Sequence, residues 1–496
     1  MILNRLNHSS LKHGPLKSSH LIHGSLTLSS STKRLLSIVN RLLVVLLLCY
    51  LSACVKNEQL RTERVETNCL WGGTDCTNAI LERYAQYDLG VIEFTERGNL
   101  YNRDDSNYVL RHINQLANTE RGVAVFVFVH GWRHDADFND DNVEQFRDFL
   151  SRASENEIVG KRKVVGVYLG WRGDFTRIPV AQQLSYWARK DVAEEVGDGG
   201  VTEVLSKLQQ LVVQQFDDDG SADESLYKNT FVVIGHSLGG AIVLSALHDI
   251  MLKELVNADL TIGEGPNPCK KIKRFADAVM LLNPAIEANR VIQLKEVAAR
   301  CLFGKDQPKL MHVLSSVGDT ATRIFFPIGQ YADFTRTLSP KKLQRKINGK
   351  EVILNESSLN VSTLGDLKQI RTAFLSFDEE SKSWSLAQCR DDLSACGVKT
   401  PKAQANHIPT HENDPLVFIK TDKNFIEDHN DVFGCYVQSY ITTVIFETQS
   451  VDKGYINADS NSKNVFMPDG CYHSGFDFKA CFNNQLINYE CDDDPR

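Results

Sequence analysis

The chain has 496 residues, of which 42% are hydrophobic and 24% charged, and this composition excludes the fibrous and wholly disordered classes of protein. Its formal net charge of −8 at pH 7 gives no reason to expect a nucleic-acid partner. The length is sufficient for one large core with insertions or for two domains.

The first 53 residues have the pattern of a basic leader followed by an export signal. Residues 1–34 contain no Asp or Glu, and Arg41 precedes the apolar run Leu42–Leu51. A basic flank, a short apolar core and small residues at a cleavage site are typical of a secretory signal, and the run is short for a helix that spans a bilayer. We therefore expect residues 1–53 to direct export.

The apolar run ends in the sequence LSAC, which closes on Cys54 and resembles the lipobox of bacterial lipoproteins. The resemblance implies that Cys54 is lipidated and that residues 54–90 form a lipid-anchored tether and N-terminal extension. Val55 is similar to residues that permit transfer to the outer membrane, so the expected location is the bacterial cell envelope, at the outer membrane and facing the periplasm or the cell surface. A plain signal peptide cut nearby, a membrane-retained N-terminal helix and a translation start downstream of Met1 stay open.

The cysteines indicate an oxidising compartment. Of the twelve, Cys49 is expected to leave with the signal and Cys54 to carry lipid, which leaves an even number, typical of disulfide bonds in an exported chain. Spacing favours the pairs Cys69–Cys76 and Cys389–Cys396, then Cys269–Cys301, and leaves the pairing of Cys435, Cys471, Cys481 and Cys491 open. No C-x-x-C spacing supports zinc, and we expect neither a metal nor another cofactor.

Between residues 91 and 337, apolar runs alternate with helical patterns. The expected strands are Val91–Glu96, Val123–Val129, Val164–Leu169, Phe231–Ile234, Ala276–Leu282 and Leu310–Ser315. The expected helices are Val143–Glu155, Val180–Glu195, Val201–Phe216 and Arg290–Leu302, with a short helix or turn at Ile80–Tyr87 and a turn-rich stretch at Arg97–Asn107. This alternation predicts an α/β fold with a doubly wound, mostly parallel sheet and chemistry at the carboxyl ends of its strands.

The remainder of the chain departs from this alternation. Residues 338–413 are polar with short apolar runs, and we interpret them as an insertion before the last strand that covers the site, binds a partner or merely decorates the surface. Residues 414–447 return to the core with a last strand at Leu416–Lys420 and a helix at Tyr436–Phe446. Residues 448–496 are a Cys-rich tail, expected to be tied down by disulfides.

Within the core, the sequence TFVVIGHSLGG at Thr230–Gly240 predicts a strand, a sharp turn and a helix. Ser237 stands at the turn, where crowded backbone tolerates little side chain two residues before and after it, and Gly235 and Gly239 supply that clearance. A serine lifted to the amino end of a helix is a useful nucleophile, because helix N–H groups favour negative charge.

Three motifs together resemble the α/β-hydrolase superfamily, specifically its bacterial serine esterases and lipase-like members. They are FVFVHGW at Phe126–Trp132, GHSLGG at Gly235–Gly240 and HNDV at His429–Val432. The resemblance covers residues 123 to about 446 and implies the α/β-hydrolase fold. It also implies a nucleophile elbow made by Gly235, His236, Ser237 and Gly239, and a catalytic triad in the chain order serine, acid, histidine.

A serine hydroxyl needs a base within hydrogen-bond reach and a third group to orient that base. The downstream histidines are His248, His312, His407, His411, His429 and His473. His429 follows the predicted last strand, where the superfamily places its base, and His407 or His411 are the alternatives. For the acid, Asp319 follows the strand that ends near Ser316, with Glu287 and Asp333 as alternatives, although Asp319 also suits a helix cap.

Acyl transfer also needs N–H donors aimed at the developing oxyanion. The N–H of Leu238 follows the nucleophile directly, and the resemblance implies the N–H of Trp132 as the second donor.

We therefore expect an exported, lipid-anchored serine hydrolase that cleaves carboxylic esters through an acyl-serine intermediate. The expected partners are an ester or acyl-lipid substrate and the membrane reached through the N-terminal lipid, and the oligomeric state stays open. The alternatives are a non-catalytic binding or interaction lipoprotein on a hydrolase scaffold, or a peptidase or thioesterase that uses the same triad.

Overall fold

The computed structural model describes residues 37–41, 58–65, 67–70, 73, 75–156, 159, 161–174, 179–213, 229–259, 266–332, 341–378 and 383–452. The chain divides into two units, residues 1–54 and 55–496, and residues 37–41 of the first unit are helical. The predicted signal core, the predicted lipidation site Cys54 and the chain beyond residue 452 lie outside the described residues. In the described ranges, no helix is both long and apolar enough to cross a membrane.

A sheet of ten strands forms the centre of the described part of the second unit. In spatial order the strands are β1 (Leu81–Arg83), β2 (Tyr87–Glu93), β4 (Lys163–Gly170), β3 (Val123–Val129), β5 (Thr230–His236), β7 (Ala278–Leu282), β9 (Met311–Ser316), β14 (Leu416–Thr421), β12 (Ala373–Asp378) and β13 (Ser383–Gln388). Strands from β2 to β12 in this order pair in parallel, and β1 and β13 add antiparallel edges. The α/β class with a mostly parallel sheet is confirmed.

The central strands are buried on both faces, which is why their sequences are continuously apolar. In β3, Val125 and Val127 face one apolar core while Phe126 and Phe128 face the other. The register places Val125 between Val165 of β4 and Phe231 of β5. This burial fixes the position of the strand ends from which the candidate site residues extend.

Helices cover both faces of the sheet. They are α1 (Arg103–Ala117), α2 (Asp141–Glu155), α3 (Pro179–Val196), α4 (Thr202–Val212), α5 (Leu238–Ala258), α6 (Ile292–Ala298), α7 (Phe326–Ala332), α8 (Glu356–Val361), α9 (Pro401–Ala405) and α10 (Cys435–Asp452). The helices α1, α4 and α5 contribute apolar side chains to one core, and α2 and α10 contribute to the other. Outside the main sheet, β6 (Asn267–Pro268) pairs with β8 (Cys301–Leu302), and β10 (Lys342–Ile347) with β11 (Lys350–Asn355).

The start of the second unit differs from the sequence-based expectation. The helix or turn predicted at Ile80–Tyr87 is wrong, because Leu81–Arg83 pairs with the beginning of β2 as an antiparallel hairpin. The stretch expected to be rich in turns contains the start of α1, whose cap Asn102 accepts hydrogen bonds from the N–H groups of the first turn. The polar segment predicted as a tether also packs from residue 58 onward, since Arg61 is 1% exposed and ion-paired with buried Glu82.

The segment predicted as an insertion is partly a continuation of the main sheet. Its strand β12 pairs in parallel with β14, and β13 pairs with β12 at the edge. The strand at Leu416–Thr421 is therefore the last in chain order but lies inside the sheet, between β9 and β12. The remaining part includes the hairpin β10–β11 and the short helix α8, and Thr363 forms a bridge with Glu287 after β7.

Three predicted disulfides are confirmed. They join Cys69 to Cys76, Cys269 to Cys301 and Cys389 to Cys396. The first and third pairs are seven residues apart, whereas the loop closed by the second contains the central strand β7. Closing a loop stabilises the fold mainly by restricting the unfolded chain.

Candidate active site

The turn between β5 and α5 holds Ser237 in a strained backbone conformation. Its φ is +54° and its ψ is −119°, a combination that residues other than glycine rarely adopt. A Cβ added at Gly235 would lie 2.7 Å from the carbonyl oxygen of Gly239, and one added at Gly239 would lie 2.0 Å from that of Val129. The two glycines thus permit the close approach that presents Ser237 at the carboxyl end of the central strand.

Ser237, His429 and Asp319 form one continuous hydrogen-bonded row. The Nε2 atom of His429 lies 2.8 Å from Oγ of Ser237, and its Nδ1 atom lies 2.9 Å from Oδ2 of Asp319. These residues are far apart in sequence and come together because they follow β5, β9 and β14, whose carboxyl ends meet at one edge of a parallel sheet. The structure therefore places the predicted base in contact with both the predicted nucleophile and the predicted acid.

The surroundings of Asp319 favour its ionised form. Burial alone would raise the pKa of Asp319, but the hydrogen bond and charge of His429, together with two hydrogen bonds from Thr322, outweigh burial and lower it. An ionised carboxylate only accepts hydrogen bonds, so Nδ1 of His429 carries the proton that faces it. When the ring is neutral, Nε2 carries no proton and can accept the hydroxyl hydrogen of Ser237.

Asp319 also has the capping role that its type suggested. Its Oδ1 accepts the backbone N–H of Thr322 at 3.1 Å, while Oδ2 faces both the Thr322 hydroxyl and His429. The side chain is fully buried, whereas the side chain of His429 keeps 22% of its exposure. Thr322 thus holds the buried carboxylate of Asp319 in place, and the partly exposed imidazole of His429 lies between that carboxylate and Ser237.

The other candidate acids and bases take different partners. His407 bonds to the carbonyl of Arg371, His411 to that of Ala299, His312 to the hydroxyl of Tyr440 and His248 to Asp249. Glu287 receives a hydrogen bond from Gln330 and an ion pair from buried Lys190. His473 and Asp333 lie outside the described residues. Among the described candidates, His429 is the histidine that contacts Ser237, and Asp319 is the acid that contacts His429.

The HGW loop after β3 packs against the nucleophile turn. A Cβ added at Gly131 would lie 2.9 Å from Cβ of Ser237, so Trp132 follows a residue in direct contact with the serine. Within the described part of the chain, no protein acceptor takes the backbone N–H of Trp132 or of Leu238. Both N–H groups are therefore available to an oxyanion at this position.

His130 shapes the HGW loop and is unsuited to act as a base. Burial lowers the pKa of His130 to about 4. Its Nε2 accepts the backbone N–H of Trp171 at 3.1 Å, which a protonated ring could not do, and the ring stacks against Tyr168 and Trp171. The histidine is thus neutral and fixes the turn that carries Gly131 and Trp132.

Sequence reasoning missed the groups that support the three central side chains. Thr322 holds Asp319, and Asn283 and His236 contact the backbone carbonyl of His429. Thr322 had a signal, since Asp followed three residues later by Thr is a capping pattern. Asn283 had none, because its partners come from distant segments. In the described ranges, no group of three or more His, Cys, Asp or Glu side chains is placed to hold a metal ion.

Comparison of the chain with protein-family models, with curated proteins and with solved structures found no match.

Proposed function

We propose that this protein is a serine hydrolase with the α/β-hydrolase fold that cleaves carboxylic esters through an acyl-serine intermediate. The observation that carries the proposal is the row of contacts from Ser237 through His429 to Asp319, at 2.8 and 2.9 Å. The chain order serine, acid, histidine and the strained strand-to-helix turn at Ser237 are features expected of the superfamily, and they support the proposal.

In the proposed mechanism, Ser237 Oγ attacks the ester carbonyl carbon while its proton passes to Nε2 of His429. Ionised Asp319 keeps the other ring nitrogen protonated and stabilises the imidazolium that forms. The imidazolium then gives its proton to the leaving alkoxide, which departs as the alcohol and leaves the acyl group on Ser237. Water, deprotonated by His429, attacks the acyl group in the same way and releases the acid.

The tetrahedral intermediates carry a negative oxygen that needs fixed donors. The N–H of Leu238 lies next to the nucleophile at the start of α5, and the N–H of Trp132 follows Gly131, which touches Ser237. One such donor contributes ~3 kcal/mol to transition-state stabilisation in enzymes where it has been removed. The N–H groups of Leu238 and Trp132 have no acceptor among the described residues, which supports this assignment.

An acyl lipid is the substrate class that we favour. Beyond Asp319, the chain exposes large apolar side chains at Ile324, Phe325 and Ile328, with Phe325 67% exposed. Apolar groups clustered in this way are typical of surfaces that meet lipid or another apolar partner. The lipobox-like LSAC sequence adds a lipid anchor at Cys54 and a place in the bacterial envelope to the proposal, on sequence grounds alone.

The proposal is tested by hydrolysis of p-nitrophenyl butyrate. We expect Ser237→Ala to lower kcat by about 10⁴-fold or more, because removing a triad member removes the covalent route. Ser245→Ala, in the same helix after the turn, is the matched control and should keep kcat within about twofold, since surface-type changes act weakly. Full activity in Ser237→Ala would refute the mechanism, and a folded wild-type protein without any esterase activity would favour a non-catalytic scaffold.

A further inference from the structure

Two buried side chains bond the backbone carbonyl of His429. Neither of them bonds the side chain of Asp319 or of Ser237 in the described contacts. The carbonyl oxygen lies 2.8 Å from Nε2 of His236 and 3.2 Å from Nδ2 of Asn283. Nδ2 of Asn283 also donates to the carbonyl of Asp428 at 2.9 Å. Two consecutive carbonyls of the loop that carries the base are thus fixed from the sheet.

Asn283 connects this loop to the strand that leads to the acid. Its backbone N–H donates to Leu314, and its Oδ1 accepts the N–H of Ser316 at 3.0 Å, three residues before Asp319. The residue is fully buried, and its φ of +42° lies in the left-handed region, which Asn tolerates better than most side chains. A short amide supplies a donor and an acceptor together, and both are used here.

His236 makes the second contact from the strand that presents the nucleophile. It directly precedes Ser237, is 1% exposed, and burial holds its pKa well below the usual range, so its ring is neutral. A neutral ring has one N–H, and the carbonyl of His429 requires that N–H at Nε2. His236, which precedes the proposed nucleophile Ser237, therefore donates a hydrogen bond to the backbone of His429, the proposed base.

The loop between β14 and α10 has further ties to the same strand ends. The hydroxyl of Ser316 donates to the carbonyl of Ile426 at 2.5 Å. A Cβ added at Gly318 would lie 2.0 Å from the carbonyl oxygen of Glu427, so the acid loop and the base loop are in direct backbone contact. These ties place the loop, but only Asn283 and His236 among the described residues grip the carbonyl of His429 itself.

We propose that Asn283 and His236 are positioning residues that clamp the carbonyl of His429, so that its ring stays between Ser237 and Asp319. This inference rests on the proposed function. His236 directly precedes Ser237, and Asn283 also accepts the N–H of Ser316 on the strand that leads to Asp319, so the clamp ties the His429 loop to the segments of both other triad members. A displacement of about 1 Å at such a site costs on the order of 100-fold in rate.

The first test compares two left-handed asparagines. Asn283→Gly keeps the backbone conformation and removes the clamp, and Asn348→Gly makes the same change at φ +52° in the turn between β10 and β11. We expect Asn283→Gly to lower kcat for p-nitrophenyl butyrate by about 10- to 100-fold with KM within about twofold. Asn348→Gly should leave both constants within about twofold. A purely structural loss would instead reduce the folded fraction, which circular dichroism and thermal unfolding report.

The second test uses a conservative rescue at His236. His236→Leu removes the donor, whereas His236→Gln offers an amide N–H of similar reach. We expect Leu to lower kcat by about 10-fold or more and Gln to recover most of that loss, with KM nearly constant in both. This pair decides the question even where Asn283→Gly fails to fold.

Two outcomes would overturn the proposal in distinguishable ways. If wild-type protein hydrolyses the ester and folded Asn283→Gly and His236→Leu keep its kcat within about twofold, the clamp is wrong and the proposed function stands. If folded wild-type protein hydrolyses no ester and takes no fluorophosphonate label, the proposed function fails, and the clamp fails with it.

Discussion

Two groups of buried charged side chains lie in different parts of this molecule and have different consequences. At the β1 edge, Glu82 accepts ion-paired hydrogen bonds from Arg61 and Arg147 at 2.8–2.9 Å, and the hydroxyl of Tyr84 completes its partners. At the carboxyl ends of the central strands, Asp319 bonds His429, which is itself bonded to Ser237.

The difference lies in where each group ends. The Glu82 group is closed, because both oxygens of its carboxylate bond to protein donors and Arg61 and Glu82 are both nearly inaccessible. The Asp319 group ends in the hydroxyl of Ser237, a group that can form a covalent bond, beside the N–H groups of Leu238 and Trp132, for which the described residues supply no acceptor. Buried charge alone therefore does not mark an active site, and the proposed function rests instead on the row that ends in the Ser237 hydroxyl.

The largest expected effect is on catalysis. Asp319→Asn should lower kcat by about 10⁴-fold, because an amide no longer selects the ring tautomer that leaves Nε2 unprotonated. The matched control is Asp277→Asn, a buried aspartate at the opposite end of β7, paired with Arg274. Steady-state hydrolysis of p-nitrophenyl butyrate should show kcat of folded Asp277→Asn within about twofold of wild type. Equal losses of kcat in Asp319→Asn and Asp277→Asn would show that the effect is not specific to the row that contains Ser237.

The next effect is on stability at the β1 edge. Glu82→Gln should lower the free energy of unfolding by about 3–5 kcal/mol, since it leaves two buried arginines without their counter-charge. Glu195→Gln breaks the exposed Arg97–Glu195 pair and should cost less than about 1 kcal/mol. Guanidinium unfolding measures both, and the kcat of folded Glu82→Gln should equal that of wild type. A large fall in kcat there would show that the β1 edge contributes to the site.

Acidification should lower the stability of the fold through three buried histidines. Burial lowers the pKa of His130 to about 4, of His312 to about 3 and of His407 to about 4. The unfolded chain, with histidine pKa near 6.5, binds protons that these buried rings do not bind, so the stability that the three rings contribute is full above pH 6.5 and is lost as the pH drops toward 4. Each ring contributes up to about 2 kcal/mol of loss by pH 5.

Thermal unfolding at pH 7.5 and pH 5.0 measures this loss. Glu82→Gln should show the same decrease as wild type, because the histidines and the Glu82 group act independently. A melting temperature that does not change between the two pH values would contradict the neutral assignment of these rings.

The smallest effect concerns the exposed apolar side chains after Asp319. Phe325→Ser should lower activity several-fold on phospholipid vesicles and leave hydrolysis of soluble p-nitrophenyl butyrate unchanged, because only the lipid substrate meets that surface. The matched control is Ile353→Ser, an exposed apolar residue on β11. Equal behaviour of the two variants on vesicles would remove the support for an acyl-lipid substrate.

The sequence predicts the candidate site more completely than the elements around it, and the reasons are physical. Runs such as Val123–Val129 are continuously apolar because both faces are buried, and the glycines around Ser237 reflect a local clearance that sequence displays directly. Strand β12, near the sheet edge, lacks such a run, and its polar surroundings in the sequence favour an insertion instead. Helix α1 did carry a signal, with the cap Asn102 before apolar residues at helical spacing.

Buried charge and long-range support could not be predicted in this way. Nothing in the sequence near Arg61 shows that Glu82 will neutralise it, because the pair is created by packing of the β1 edge. Asn283 likewise gains its role from Ser316 and His429, which lie 33 and 146 residues away. Contacts of this kind depend on topology, and single-residue types carry no signal for them.

The most direct test of the proposed triad is the mass of the protein after reaction with a fluorophosphonate, followed by mapping of the modified peptide. We expect a single adduct on Ser237 of the folded protein, formed much more slowly in Asp319→Asn. No adduct on the folded protein, or an adduct on another serine that persists in Ser237→Ala, would contradict it.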